Sequence, residues 1–394
     1  MRELDVDAGY LVETLEALLA IPSPSGMTDE AVGFVDRRLE ALGIPFELTR
    51  RGAIRADLAG ARSSPDRAIV AHLDTLGVMV KALKHNGRLE VVPIGTWSAR
   101  LAEGARVTVF ADHGQSFRGT LLPLMASGHV YHDQLDLQPA SWDNIELRLD
   151  EKVADRGGLE ALDVQVGDTV AVDAGTEITA NGFISARHLD DKAGVAAVLA
   201  AAKAVRDARA RLPIDCHLVF TISEEVGVGA SHVLHGDVAE LVSVDNGTIA
   251  PGQNTAEYGV TVAMQDSSGP FDWHLTRSLI GLCQAYGIDH ARDVFRYYRS
   301  DAAAAVEAGN DIRTALLCFA LDSSHGYERT HVESLTALAR LLALYMQSQP
   351  LFERDSEVMG PVGDLPAGEA DAPQRRRARR SAAARRQSPK RSGG

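Results

Sequence analysis

Cys216-His217-Leu218-Val219-Phe220-Thr221-Ile222-Ser223-Glu224-Glu225 is a short apolar run that stops on two adjacent carboxylates. A run of that length, rich in β-branched and aromatic residues, reads as a buried strand. The same pattern recurs elsewhere. Ala68-Ile69-Val70-Ala71 runs into His72, Leu241-Val242-Ser243-Val244 stops at Asp245, and residues 314–321 lead to Ser323-Ser324-His325. A further acid, Asp190 in His188-Leu189-Asp190-Asp191-Lys192-Ala193-Gly194, precedes a long Ala/Val helix. In open α/β sheets, function gathers outside the carboxyl ends of the strands. Acids and imidazoles repeated at such ends therefore read as one metal site assembled from distant segments.

The bulk composition is that of a globular chain: 394 residues, 45% apolar and 24% charged. No apolar run approaches the roughly 18–20 residues a membrane span needs. Met1-Arg2-Glu3-Leu4-Asp5 lacks the apolar stretch of a secretory signal, and Cys216, Cys283 and Cys318 form no paired motif. Reduced, buried thiols in a cytoplasmic protein are expected. The net charge of −14 is uneven: residues 374–394 hold eight Arg, one Lys and no acid, which leaves the remainder at −23. That tail has no apolar anchor for a core, so residues 351–394 are expected to be disordered. Contact with nucleic acid through the basic stretch is the non-enzymatic alternative.

The leucines between Tyr10 and Ala20 form a helical stripe that ends in the turn cluster Ile21-Pro22-Ser23-Pro24-Ser25-Gly26. Thr28 is expected to cap a second helix ending at Gly43. Residues 46–58 read as a hairpin, and further helices are expected over 191–208, 267–286 and 333–347. Between Asp74 and Thr179 the texture changes to short alternating runs separated by Gly, Asp and Asn, among them residues 89–92, 106–110, 145–149 and 169–172. The expected organisation is an α/β domain from residues 1–73 and 180–350, interrupted by a small β module over 74–179.

The chemistry follows from the residue types. In His72-Leu73-Asp74, a carboxylate two residues on can accept the second N–H of the imidazole and raise its basicity as a ligand. Neighbouring Glu224 and Glu225 point in different directions, so one can hold a cation while the other faces water as a general base. His, Asp and Glu without thiolates suit Zn2+, Co2+ or Mn2+. Five such ligands exceed the three of a one-zinc catalytic site, and with a shared carboxylate they fit two metals roughly 3.5–4 Å apart.

Five stretches carry a resemblance. Ile21-Pro22-Ser23-Pro24-Ser25-Gly26, Ala71-His72-Leu73-Asp74, Leu189-Asp190-Asp191-Lys192-Ala193-Gly194, Ser223-Glu224-Glu225-Val226-Gly227 and Arg299-Ser300-Asp301-Ala302 occur in the order seen in the tetrahedral (TET) and glutamyl aminopeptidase family of di-metal peptidases. The chain resembles that family over residues 8–348. The resemblance implies a phosphorylase/hydrolase-like α/β catalytic domain, a mixed sheet flanked by helices, with an inserted β-barrel that mediates assembly from dimer to dodecamer. It implies His72 and Asp245 on one metal, Glu225 and His325 on the other, and Asp190 bridging both. His331 is the alternative for the last ligand. Glu224 would be the general base and Asp74 the partner of His72. The implied activity is amide hydrolysis in small peptides, with Zn2+ the first expectation among the metals.

The chain departs from the family pattern around the pocket. Thr75 stands where an acid usually follows the His-x-Asp unit, and Asn246 follows Asp245 where an apolar residue is usual. The stretch Ser324-His325-Gly326-Tyr327-Glu328-Arg329-Thr330-His331 resembles a bacterial subgroup associated with the osmoprotectant N-acetylglutaminylglutamine amide. That resemblance implies a blocked dipeptide amide as the alternative substrate.

Overall fold

In a computed structural model, residues 1–234 and 236–357 are described. Among them the strand Asp66–His72, buried at every position, lies at the centre of a large mixed sheet. Cys216–Thr221 and Val238–Ile249 run parallel to it on either side, and Arg313–Asp322 continues the parallel set beyond Val238–Ile249. Strands covered on both faces have no polar side to show, so their sequences are continuously apolar. Ile54–Leu58 and Phe46–Leu48 extend one side as the expected hairpin, while Glu328–His331, Phe183–Ala186 and Glu177–Ile178 extend the other.

The four parallel strands send their carboxyl ends to the same edge. Thr221 pairs with His72, and Ser243 pairs with Val70, so Asp245 comes level with His72. The helix Leu189–Asp207 packs against this sheet and against the helices Ala8–Leu19 and Val332–Gln347. Its alanines allow close approach at no cost in helix propensity. At Gly194 even a methyl group is excluded, since a Cβ there would lie 2.7 Å from the Val244 side chain and closer still to Asp191.

Six antiparallel strands form a closed barrel with its own apolar core, including Val78, Val91, Val107, Leu121, Leu147 and Val170. The four expected runs are present, joined by Gly77–Leu83 and Ser116–Pro123, whose alternation is broken by glycine and proline. Closure removes the exposed edges that an open sheet of this size would carry. The mixed α/β class with an added barrel is therefore the observed architecture. The expected helix over 267–286 starts later, at Trp273, because Asp266 to Pro270 form a tight hairpin and Asp272 caps the helix. Thr28 precedes the helix Asp29–Leu42 without a side-chain capping bond.

Residues 352–357 lie in a separate unit and contain a short helical turn, Glu353–Ser356. The Arg-rich stretch 374–394 lies outside the described residues. Among the described residues no helix is long and apolar enough to cross a membrane.

Candidate metal centre

His72 ends its strand 2% exposed, and its Nδ1 donates to the backbone carbonyl of Asp74 at 2.9 Å. A carbonyl only accepts, so Nδ1 carries a proton and Nε2 is the nitrogen that faces inward; while protonated it donates to Asp190, and it offers a lone pair to a cation once that proton is lost. The pairing expected through the Asp74 carboxylate thus runs through the Asp74 backbone; its Oδ1 lies 3.6 Å from the ring. The carboxylate is otherwise engaged. It accepts the backbone N–H of Glu224 at 3.0 Å, that of Glu225 at 3.3 Å and the Ser25 hydroxyl at 2.6 Å. Asp74 therefore ties the two glutamates to the end of the His72 strand.

His325 repeats this arrangement from the far end of the chain. It follows Arg313–Asp322 in a left-handed turn at φ 65°, and its Nδ1 lies 2.9 Å from the carbonyl of Thr96. Its Nε2 lies 3.4 Å from Asp190 Oδ2 and 3.8 Å from Glu225 Oε2. On the other side, His72 Nε2 lies 3.2 Å from Asp190 Oδ1 and 3.8 Å from Glu224 Oε2. Asp190 thus carries one imidazole at each carboxylate oxygen. Ligand atoms of His72, Asp190 and Asp245 all fall within 4.8 Å of one another. The alternative ligand, His331, is committed elsewhere: Nε2 to the Asn181 carbonyl at 2.9 Å, and Nδ1 accepting the Glu333 N–H at the start of Val332–Gln347.

Several supporting groups were given no role at the site from sequence. Glu328, 1% exposed, accepts the backbone N–H of His325 at 2.9 Å and that of Asp190 at 3.2 Å, joining the two segments. Asn246 donates its amide to Asp190 at 2.8 Å and to Asp245 at 3.1 Å, which gives the departure from the usual apolar residue a physical role. Asp301 accepts the Thr221 hydroxyl at 2.5 Å and the Ala230 N–H at 2.7 Å, holding both ends of the glutamate loop. A Cβ at Gly229 would lie 2.2 Å from Asp301, so the loop closes there only with glycine. The polar residues 324–331 and the Arg299-Ser300-Asp301-Ala302 stretch were the signals for Glu328 and Asp301. Nothing in the chain's pattern marked their partners.

Burial pushes Glu225 and Asp245 up to about 8, with Asp190 adding to the effect. Burial also raises Glu224 and Asp191 well above the usual carboxyl range, with His72 opposing. Asp190 goes the other way: burial opposes its charge, but the hydrogen bonds of His325 and His72 prevail and lower it. His325 is raised to about 10; burial works against its charge, and Asp190 outweighs it. One oxygen of Asp191 is buried without a hydrogen-bond partner. So many desolvated acids are costly to ionise together, and cations are what would compensate them. The residues fit divalent cations well: two imidazoles with inward Nε2 atoms, several carboxylates and no thiolate.

This has a consequence for stability. A carboxyl raised in the folded state binds more protons than in the unfolded chain between pH 4 and about 8, so stability falls as pH rises through that window. The raised His325 acts in the same direction up to about pH 10. We expect the melting temperature of chelator-treated protein to fall from pH 5 to pH 8, and Zn2+ or Mn2+ to restore it with a gain that grows with pH. Parallel melting curves with and without metal across that range would contradict the site.

The sequence profile of the M42 glutamyl aminopeptidase family matches residues 52–341. The Bacillus subtilis (strain 168) protein named "Putative aminopeptidase YhfE" is 38% identical over 337 residues, which are 86% of this chain and 97% of that protein. Among solved structures, an aminopeptidase from the archaeon Desulfurococcus kamchatkensis superposes with a TM-score of 0.80 at 20% identity, covering 90% of this chain and 99% of that one. The Pyrococcus horikoshii TET1 peptidase, described as able to assemble into a tetrahedron or a large octahedral shell, gives a TM-score of 0.73 at 21% identity, with 85% and 98% covered.

Proposed function

The chain belongs to the M42 glutamyl aminopeptidase family, and from that premise we propose that it is a di-metal aminopeptidase acting on small peptides with a free amino end. The observation that carries the reading is the Asp190 carboxylate between two imidazoles, each with Nδ1 against a backbone carbonyl and Nε2 turned inward. A carboxylate so placed suits two cations, one on each oxygen. His72 and Asp245 would complete one site, Glu225 and His325 the other, with Zn2+ first among the candidates. When bound, such cations supply Lewis acidity, making water acidic enough to ionise near neutrality and polarising the scissile carbonyl.

The chain's own residues supply the rest. Glu224 has its backbone N–H held by Asp74 and its carboxylate toward His72, where it can take a proton from the attacking water and return it to the leaving amine. Burial raises its proton affinity, which suits a base that must accept a proton near neutral pH. Asp74 holds the Glu224–Glu225 backbone in register with the His72 strand, and Glu328 does the same for Asp190 and His325. The barrel closes one wall through Thr96 and Trp97. Self-assembly from dimers up to a dodecamer, as in TET-type relatives, belongs to the same proposal.

The test is hydrolysis of aminoacyl p-nitroanilides and of N-acetylglutaminylglutamine amide by protein stripped of metal and reloaded with Zn2+, Co2+ or Mn2+. Metal-dependent cleavage of the free aminoacyl substrates is expected. Cleavage restricted to the blocked dipeptide would retain the chemistry and replace the substrate. Failure on every substrate, with two metals bound, would overturn the peptidase reading.

A further inference from the structure

Beside the metal centre is a small pocket whose apolar walls are Leu76, Trp97 and Val172 and whose floor includes His325 and Glu225. Arg187 also lines it, three residues before Asp190 on the turn that follows Phe183–Ala186. Its backbone is fixed by an N–H bond to the Ala174 carbonyl at 2.8 Å. Its guanidinium has no hydrogen bond or ion pair among the described residues. The nearby carboxylate of Glu328, whose two oxygens each accept a backbone N–H from His325 or Asp190, favours the guanidinium's charge but makes no hydrogen bond to it. His188, also in the pocket, turns its Nε2 to the Val172 carbonyl at 2.9 Å and is driven to about 3 by burial, so it stays neutral.

An arginine partly desolvated beside a cluster of acids, and paired with none of them, loses hydration without a compensating bond. Its planar fork matches a carboxylate bidentately. We propose that Arg187 is a specificity-determining residue that receives a carboxylate of the substrate, so that the pocket selects short peptides bearing a free carboxylate within reach of the scissile bond. This rests on the hydrolase reading of the neighbouring centre. Two groups of one substrate have the right chemistry: the side chain of an acidic amino-terminal residue, and the terminal carboxylate of a dipeptide. The apolar walls exclude water from the contact, which strengthens it and penalises a neutral amide in the same place.

The experiment compares unsubstituted protein with Arg187→Gln and Arg187→Lys on two matched pairs. Glutamyl against glutaminyl p-nitroanilide reports on the side chain; Leu-Gly against Leu-Gly-amide reports on the terminal carboxylate. For each pair the ratio of kcat/KM values is the readout, because a change in fold or metal content lowers both members together. In one pair the unsubstituted protein should favour the carboxylate, and Arg187→Gln should reduce that preference by roughly 10- to 100-fold, as expected for a charge-assisted pair. Arg187→Lys should recover part of it, since it keeps the charge and loses the fork. Calorimetric binding of glutamate, glutamine, Leu-Gly and Leu-Gly-amide to the same proteins reads the same preference without turnover, so failure of the peptidase reading would be seen separately. Ratios in both pairs that do not change with Arg187→Gln, in turnover and in binding, would overturn the proposal.

Discussion

Replacing Glu224 by Gln is expected to lower kcat by roughly two to four orders of magnitude, the range over which a positioned general base contributes, while the protein keeps its full complement of metal. The two halves of this result separate base from ligand. Glutamine has the same shape, so the backbone bond from residue 224 to Asp74 and the loop held by Asp301 should survive. The Glu224 side chain, 14% exposed, lies 3.8 Å from His72 Nε2, and the Glu225 side chain, 4% exposed, lies 3.8 Å from His325 Nε2, so metal content and not distance is what separates base from ligand. An amide cannot take up the proton of the attacking water, so the chemical step fails and substrate binding persists. Steady-state kinetics on an aminoacyl p-nitroanilide, with metal content measured by plasma mass spectrometry, decide the matter. Loss of one metal equivalent would make Glu224 a ligand. A kcat within about tenfold of the unsubstituted protein would remove it from the base role.

Asp190→Asn should be more severe, because it strikes both proposed metals at once. Asp190 is the acceptor that faces both imidazoles, and Asn246 donates to it as well. An asparagine would turn an N–H2 group toward one of those nitrogens and would withdraw a negative charge that the two proposed cations would share. Outer-sphere partners alone cost 10- to 100-fold in metal affinity, so a weakening of at least roughly 100-fold is expected at each site, with no measurable turnover. Calorimetric Zn2+ titration of the metal-free protein reads this directly. Asp245→Asn serves as comparison and should weaken one equivalent only. If Asp190→Asn also spares one equivalent, the carboxylate does not bridge.

Much of this was legible from the chain because parallel strands covered on both faces leave a distinctive apolar signature, and their last residues are the ones a site can use. His72, Asp245 and the Glu224-Glu225 pair follow from that alone, and the barrel runs from alternation. Other features were hidden for a physical reason: they are contacts between segments far apart in sequence. Glu328 joins Asp190 to His325 through backbone N–H groups, which no residue pattern announces. Asp74 looked like a partner for its near neighbour His72, yet its carboxylate serves Glu224 and Glu225, some 150 residues away. His325 and His331 were both candidates for the last ligand that the family resemblance implies. Only the turn at Ser323 to His325, with positive φ at both ends, shows which of the two faces Asp190.

The barrel begins and ends side by side: Gly77 pairs directly with Ala171 across adjacent strands. For the surrounding α/β chain, everything between those residues is a closed loop whose ends are already together. Once the barrel has folded, joining His72 to the strands that follow it carries the entropy of a short connection, because the cost of loop closure depends on the free length between tethered ends. The insert can therefore vary in length and surface without disturbing the sheet, although its Thr96 carbonyl still orients His325. A segment free to diversify in this way, yet touching one proposed ligand, is where relatives with the same metal chemistry can acquire different substrate access.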